Sequence, residues 1–299
     1  LRSYNISDKD FEDNLLCIAR AGAGTNNIPI EDATKKGIVV FNTPGANANA
    51  VKELVICGML LSSRGIIEGI EFAKKLDFED AESLNKAMEA QKKAFAGNEL
   101  AGKTLGIIGL GSIGSMLAQA AHTLGMRLVG YDPYISIEGA WRLPADVEKA
   151  ETMEALLQQS DYVSLHVPLV EDTKNLINKS NLKKFKNGAR LINLSRGGIV
   201  NTDDVIAELE NGNLGRFVTD FPTPELIKRS VDKNDVVLLP HLGASTKEAE
   251  VNCAVMAANQ MVNYLQDGTI LNSVNFPRIS LTRGTNHRLV IINHNEPGM

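Results

Sequence analysis

The chain has 299 residues, 43% hydrophobic and 22% charged, with a net charge of −5 and a pI near 5.6. That is ordinary globular composition, enough for about two domains, with no basic stripe for a nucleic-acid partner and no like-charged tail. The longest apolar run, Leu54 to Leu61, is too short to cross a bilayer.

The first ten residues are polar and of mixed charge, so no signal peptide is legible. Cys17, Cys57 and Cys253 stand far apart without CxxC spacing, which supports neither a disulfide framework nor a zinc site. A reducing cytoplasm is the expected compartment. The chain opens on Leu1 and stops at Met299 just after an apolar run, so a fragment cut at both ends is expected.

In chain order, Leu15 to Ala19 reads as a buried strand that runs into the turn-rich loop Arg20 to Thr25. Gly37 to Phe41 is a second strand, closed by Asn42-Thr43-Pro44-Gly45. One long helical pattern covers Ala50 to Lys75, and a charged helical stretch covers Asp77 to Glu99. A new unit then begins with the strand Lys103 to Ile108, a glycine-rich turn, the helix Ser115 to Leu124 and the strand Arg127 to Asp132. Further strands are expected at Tyr162 to Val167, Arg190 to Leu194, Gly215 to Thr219 and Val236 to Leu239. Helices separate them at Thr152 to Gln159, Asn178 to Phe185 and Thr202 to Glu210.

This alternation implies a doubly wound α/β domain on a parallel sheet, the Rossmann arrangement. The helix Ser245 to Leu265 follows that domain and is expected to return to the N-terminal part, making the first domain discontinuous. Arg288 to Ile292 reads as a lone strand. The resulting division is 1–97, 98–243, 244–276 and 277–299.

Gly109-Leu110-Gly111-Ser112-Ile113-Gly114 follows a strand directly and opens a helix. In such a turn the first glycine permits the bend, the second admits a pyrophosphate to the backbone, and the third lets helix and strand pack closely. Amides at a helix N-terminus, here those near Ser112 and Ile113, favour an anion. Asp132 ends the next strand 18 residues past Gly114. It would accept bonds from ribose hydroxyls and repel a 2′-phosphate, which points to NAD rather than NADP.

Arg196 lies in Asn193-Leu194-Ser195-Arg196-Gly197-Gly198, at a strand end facing the ligand crevice of such a sheet. It suits a bidentate grip on a carboxylate, or it simply caps the strand end. His241, in Pro240-His241-Leu242-Gly243-Ala244-Ser245-Thr246, occupies a similar place. An imidazole there could take a hydroxyl proton near neutral pH, or be structural. Glu225 is the candidate acid to hold its tautomer and raise its pKa. His166 ends a strand near the expected cofactor. His122, His287 and His294 read as structural or exposed.

Together the segments Arg20 to Thr25, Asn42 to Gly45, Gly109 to Gly114, Tyr131 to Pro133, Asn193 to Gly198 and Pro240 to Thr246 resemble the D-2-hydroxyacid dehydrogenase family, most of all its phosphoglycerate-oxidising members. The resemblance implies that Arg196 binds substrate carboxylate and carbonyl, that His241 is the acid/base and that Glu225 pairs with it. It implies further cofactor contacts from His166, Val167, Pro168, Leu194, Ser195, Asp220, Gly243 and Ala244. Arg2 and Arg20 would meet the phosphate of a small phosphorylated 2-hydroxy acid, and the amides of Gly22, Ala23 and Gly24 its carboxylate.

One departure is visible: the family reads Asp-Val-Phe where this chain has Asp220-Phe221-Pro222, and only alignment on the aspartate keeps Glu225 at the usual spacing. The family fold implies a flavodoxin-like substrate domain truncated at its N-terminus, the start of an ACT-like regulatory domain after Pro277, and a homodimer through the cofactor domain. Other readings are a glyoxylate or hydroxypyruvate reductase and an NAD-sensing corepressor.

Overall fold

The computed structural model describes residues 1–280 and 289–293. In chain order its first elements are β1 (Cys17–Ala19), α1 (Ile30–Lys35), β2 (Val39–Phe41), α2 (Ala48–Ser63), α3 (Ile66–Lys74) and α4 (Ala81–Gln91). Then come β3 (Thr104–Ile108), α5 (Ser112–Thr123), β4 (Arg127–Tyr131), α6 (Ile137–Ala140), β5 (Glu148–Lys149), α7 (Met153–Gln159) and β6 (Tyr162–Leu165). The rest are α8 (Lys179–Leu182), β7 (Ala189–Asn193), α9 (Thr202–Glu210), β8 (Leu214–Thr219), α10 (Pro224–Asp232), β9 (Val236–Leu238) and α11 (Lys247–Asp267).

Contacts divide the chain into two compact units, Leu1–Asn47 with Thr246–Met299, and Ala48–Ser245. The first is discontinuous in sequence. The lower boundary falls at residue 48 rather than near 98, because α2 packs against α5, β7 and β8. Its Gly58 lies so near β8 that a Cβ there would stand 2.8 Å from Val218 Cγ1.

The second unit is a seven-stranded sheet in the order β5-β4-β3-β6-β7-β8-β9, every pair parallel. Successive strand residues alternate between its two faces. Ile108, Val129, Leu191, Phe217 and Val236 join Leu156, Leu157, Val205 and Leu226 on one side. On the opposite side Leu105, Ile107, Leu128, Ile192, Val218 and Val237 meet Val55, Met59, Leu117 and Ala121. Burial on both faces explains why these strands read as continuous apolar runs. Strand order reverses at β3 and β6, and a doubly wound sheet opens its ligand crevice outside the carboxyl ends of the strands at such a point.

In the first unit β1 and β2 pair in parallel, with Cys17 opposite Val39 and Ala19 opposite Phe41. Ile18, Val40, Phe11, Ile28, Ala33 and Ile38 form one small core, and Ala19, Val39, Phe41, Ala257 and Ile270 another. The later segment is stitched to β2 by Asn275, whose Oδ1 accepts from Val40 N (2.9 Å) and whose Nδ2 donates to Ile38 O (2.9 Å).

Several expectations change in detail. The single helix over Ala50 to Lys75 is two, broken at Arg64-Gly65, where Gly65 N donates to Phe95 O at 3.1 Å and a Cβ would press Phe95 Cα at 3.0 Å. The helix expected over Asn178 to Phe185 shrinks to one turn. Residues 289–293 carry no strand, and Arg288 of the expected Arg288 to Ile292 strand lies outside the described residues, as do His287 and His294.

Candidate active site

Every candidate of the second unit except Glu225 lies on a segment leaving the carboxyl end of a parallel strand. The glycine turn follows β3, Asp132 follows β4, His166 to Pro168 follow β6, Leu194 to Arg196 follow β7, Asp220 follows β8 and His241 to Ala244 follow β9.

The three turn glycines differ in what requires them. Gly109 has φ +91°, and a Cβ there would stand 2.5 Å from His166 O. At Gly114 it would stand 2.1 Å from Gly109 O. Both are demanded by the fold itself. A Cβ on Gly111 would meet nothing within 4 Å, so packing does not explain that glycine. Beside it, the amides of Ser112, Ile113 and Gly114 open α5 and donate to no group among the described residues. Open space over a row of N–H groups at a helix N-terminus fits a pyrophosphate.

Asp132 shapes the turn as well as facing it. Its Oδ2 accepts from Leu110 N (2.8 Å) and its Oδ1 from Tyr134 N (2.9 Å). Each oxygen keeps a further lone pair for a ribose hydroxyl. His166 is partly buried; Nε2 meets Ser164 Oγ at 2.9 Å, and Nδ1 is buried with no partner among the described residues. Burial pushes its pKa down to about 4, so the ring is neutral at physiological pH.

The ends of β7, β8 and β9 gather Arg196, Asp220 and His241. With strands roughly 4.8 Å apart, β7 and β9 lie about 10 Å from one another, a distance a small acid can bridge. Between them sits Asp220, 1% exposed. Its Oδ2 accepts from Gly243 N at 2.9 Å, while Oδ1 is buried without a partner among the described residues. Burial raises its pKa, against the lowering influence of Gly243 N–H, His241 and Arg196. A Cβ on Gly243 would touch both Asp220 Oδ2 (3.3 Å) and Leu194 O (3.7 Å), so Leu194, Asp220 and Gly243 form one cluster.

Arg196 is exposed and donates to Ser195 O at 2.7 Å. His241 is exposed, and its backbone is held at φ +50° by N–H bonds to Asp220 O (3.0 Å) and Leu239 O (3.2 Å). A non-glycine residue in that region costs about 1–3 kcal/mol, and such strain concentrates at functional sites.

Glu225 is joined to His241 by no hydrogen bond or ion pair among the described residues. It occupies the exposed first turn of α10, where its own backbone N–H and the Thr223 hydroxyl hold its carboxyl below the ordinary value. The neighbour of the His241 ring is instead Phe221, with centroids 5.0 Å apart at 56°. Asn193, 2% exposed and not picked out from sequence, organises the loop that carries Arg196.

In the first unit, Gly22 donates to Thr43 Oγ1 at 2.7 Å, which removes its amide from the expected anion nest. Ala23 and Gly24 keep theirs: neither N–H donates to a group among the described residues. Arg20 folds over this loop so closely that a Cβ on Gly22 would stand 2.2 Å from its Nη1. A guanidinium packed over Gly22, whose next two residues in sequence carry open amides, is an anion-binding combination. Arg2 is exposed and paired with Glu250 at 3.0 Å.

Residues 62–243 match the family profile described as D-isomer specific 2-hydroxyacid dehydrogenase, NAD binding domain. The chain is 35% identical to the D-3-phosphoglycerate dehydrogenase of Bacillus subtilis over 269 residues, 89% of this chain and 48% of that one. It is 38% identical to the hydroxypyruvate reductase of Thermotoga maritima over 242 residues, 79% and 73% of the two chains. The NAD+-bound structure of 3-phosphoglycerate dehydrogenase from Entamoeba histolytica superposes with a TM-score of 0.70 at 29% identity, covering 92% of this chain and 80% of that one. The chain thus spans about half the length of the first curated relatives it matches. With a parallel sheet, an NAD-fitting glycine turn and a profile match over most of the cofactor unit, the chain belongs to the D-isomer specific 2-hydroxyacid dehydrogenase family.

Proposed function

We propose that the protein oxidises D-3-phosphoglycerate at C2 to 3-phosphohydroxypyruvate with NAD as acceptor, the entry to serine synthesis. The observation that carries the chemistry is the placement of Arg196 and His241 at the ends of β7 and β9, around buried Asp220. His241 takes the C2 hydroxyl proton as the carbonyl forms. Arg196 grips the carboxylate and stabilises charge on the developing carbonyl oxygen. NAD, when bound, supplies the acceptor for the hydride that leaves C2. The amides of Ser112, Ile113 and Gly114 hold its pyrophosphate, Asp132 its ribose, and Asp220 Oδ1 offers a buried acceptor at the same strand ends.

For the phosphorylated substrate, the support is Arg20 packed over Gly22 in the loop that carries the open amides of Ala23 and Gly24, together with the phosphoglycerate relatives. Arg2 would have to exchange Glu250 for phosphate, a small cost for an exposed pair. The hydroxypyruvate reductase reading keeps the same catalytic groups without the phosphate. It is favoured by the Thermotoga relative, 73% of whose length is covered. NADH formation from 3-phosphoglycerate and from glycerate separates the two. If Arg20→Ala and Arg2→Ala together leave KM for 3-phosphoglycerate unchanged, the phosphate assignment fails.

The reading includes a cytoplasmic homodimer. Three free cysteines suit a reducing compartment. No helix among the described residues is long and apolar enough to cross a membrane. The helices α3 and α4 and the 3-10 turn after them bury no residue at all, while Ile67 and Ile70 are 38% and 49% exposed. An arm built that way suits a second copy as its cover.

A further inference from the structure

Asn193 closes β7, is 2% exposed, and bonds through both ends of its amide to the loop that follows. Nδ2 donates to Arg196 O at 2.9 Å. Oδ1 accepts from Ser195 N at 3.2 Å and from Ser195 Oγ at 2.9 Å. The orientation of the amide is forced, because a backbone carbonyl only accepts and a backbone N–H only donates. One buried side chain therefore winds residues 193–196 into a fixed turn. Arg196 completes it by donating from Nη1 to Ser195 O at 2.7 Å.

We infer that Asn193 is a positioning residue for Arg196: its Nδ2–H pins the Arg196 carbonyl and so sets the direction in which the guanidinium leaves the strand end. The inference rests on the reading of Arg196 as the group that grips the substrate carboxylate. The two ends of the amide serve different neighbours. Oδ1 holds Ser195, on the side assigned to the cofactor, and Nδ2 holds Arg196, on the side assigned to the substrate. A buried side chain that acts only on stability would not divide its effects this way.

Asn193→Asp keeps the acceptor toward Ser195 and replaces the donor toward Arg196 O with a second acceptor. Losing one such bond corresponds to a change of up to about tenfold. The expected result in the full chain is a KM for 3-phosphoglycerate raised about tenfold, with NAD affinity within about twofold of wild type. Combined with Arg196→Ala, the same substitution is expected to change KM by less than about twofold, because the group it positions is gone. An undiminished effect of Asn193→Asp in the Arg196→Ala background, or an NAD affinity that falls in step with KM, overturns the inference. If Arg196→Ala alone leaves kcat/KM unchanged, the reading of Arg196 itself is what fails. Should the buried carboxylate prevent folding, Asn193→Ala replaces it in the same cycle, and KM additivity remains the criterion.

Discussion

The neutral imidazole of His166 gives the fold a pH dependence that can be worked out in sign. Burial holds its folded-state pKa at about 4, below the ordinary 6.5. The unfolded chain therefore takes up a proton between those values while the folded chain does not. Stability from this group is full above pH 6.5 and is lost as pH falls toward 4. A melting-temperature profile should decline across that window, and the decline should be shallower in His166→Gln. Glu225 makes the opposite kind of residue-scale prediction. Exposed, and bonded to its own helix end rather than to His241, it should tolerate Glu225→Gln with kcat/KM within about threefold, as surface changes away from special features usually have small effects. A loss of about a hundredfold in steady-state kinetics, the scale of a lost general acid or base, would restore it to the catalytic machinery.

At the scale of elements, the glycine turn between β3 and α5 separates a structural need from a functional one. Gly114→Ala forces a Cβ to within 2.1 Å of Gly109 O, so thermal unfolding should show a loss of about 1–3 kcal/mol. Gly111 has φ −69° and open space in front of it, so Gly111→Ala should melt near wild type. Its NAD affinity should nonetheless fall about tenfold, since the methyl stands where a pyrophosphate would approach. Equal loss of stability in both variants would remove the distinction.

The same elements show what is legible in the sequence and what is not. Strands β3, β4, β6, β7, β8 and β9 are legible because burial on both faces leaves unbroken apolar runs. Strand β5 is not, being two exposed charged residues at the sheet edge. Helix α10 is hidden behind Pro222 and Pro224, although a proline in the first turn is compatible with a helix. The break at Gly65 depends on Phe95, far along the chain, which no local pattern reports. In the site, motif position at strand ends offers Arg196 and His241 as candidates, because strand ends in a parallel sheet share one side, while Asp220 comes only from the family resemblance. Spacing says nothing of side-chain direction, so it can neither place Phe221 against His241 nor single out Asn193.

For the whole molecule, the unburied segment from α3 through the turn after α4 carries the proposal of self-association. Ile67→Glu with Ile70→Glu should convert a sedimenting dimer to monomer while leaving the monomer folded. A wild-type chain that sediments as a monomer at micromolar concentration would end that proposal. Catalysis stands apart from it, because Arg196 and His241 belong to one chain.

The most direct test of the function is NADH formation from D-3-phosphoglycerate by wild type, Arg196→Ala and His241→Gln, each first shown to bind NAD. Turnover by wild type is expected, with kcat lowered at least about a hundredfold in His241→Gln and kcat/KM lowered similarly in Arg196→Ala. Wild-type rates in either variant, with NAD bound, would contradict the assignment of the guanidinium and the imidazole to one substrate.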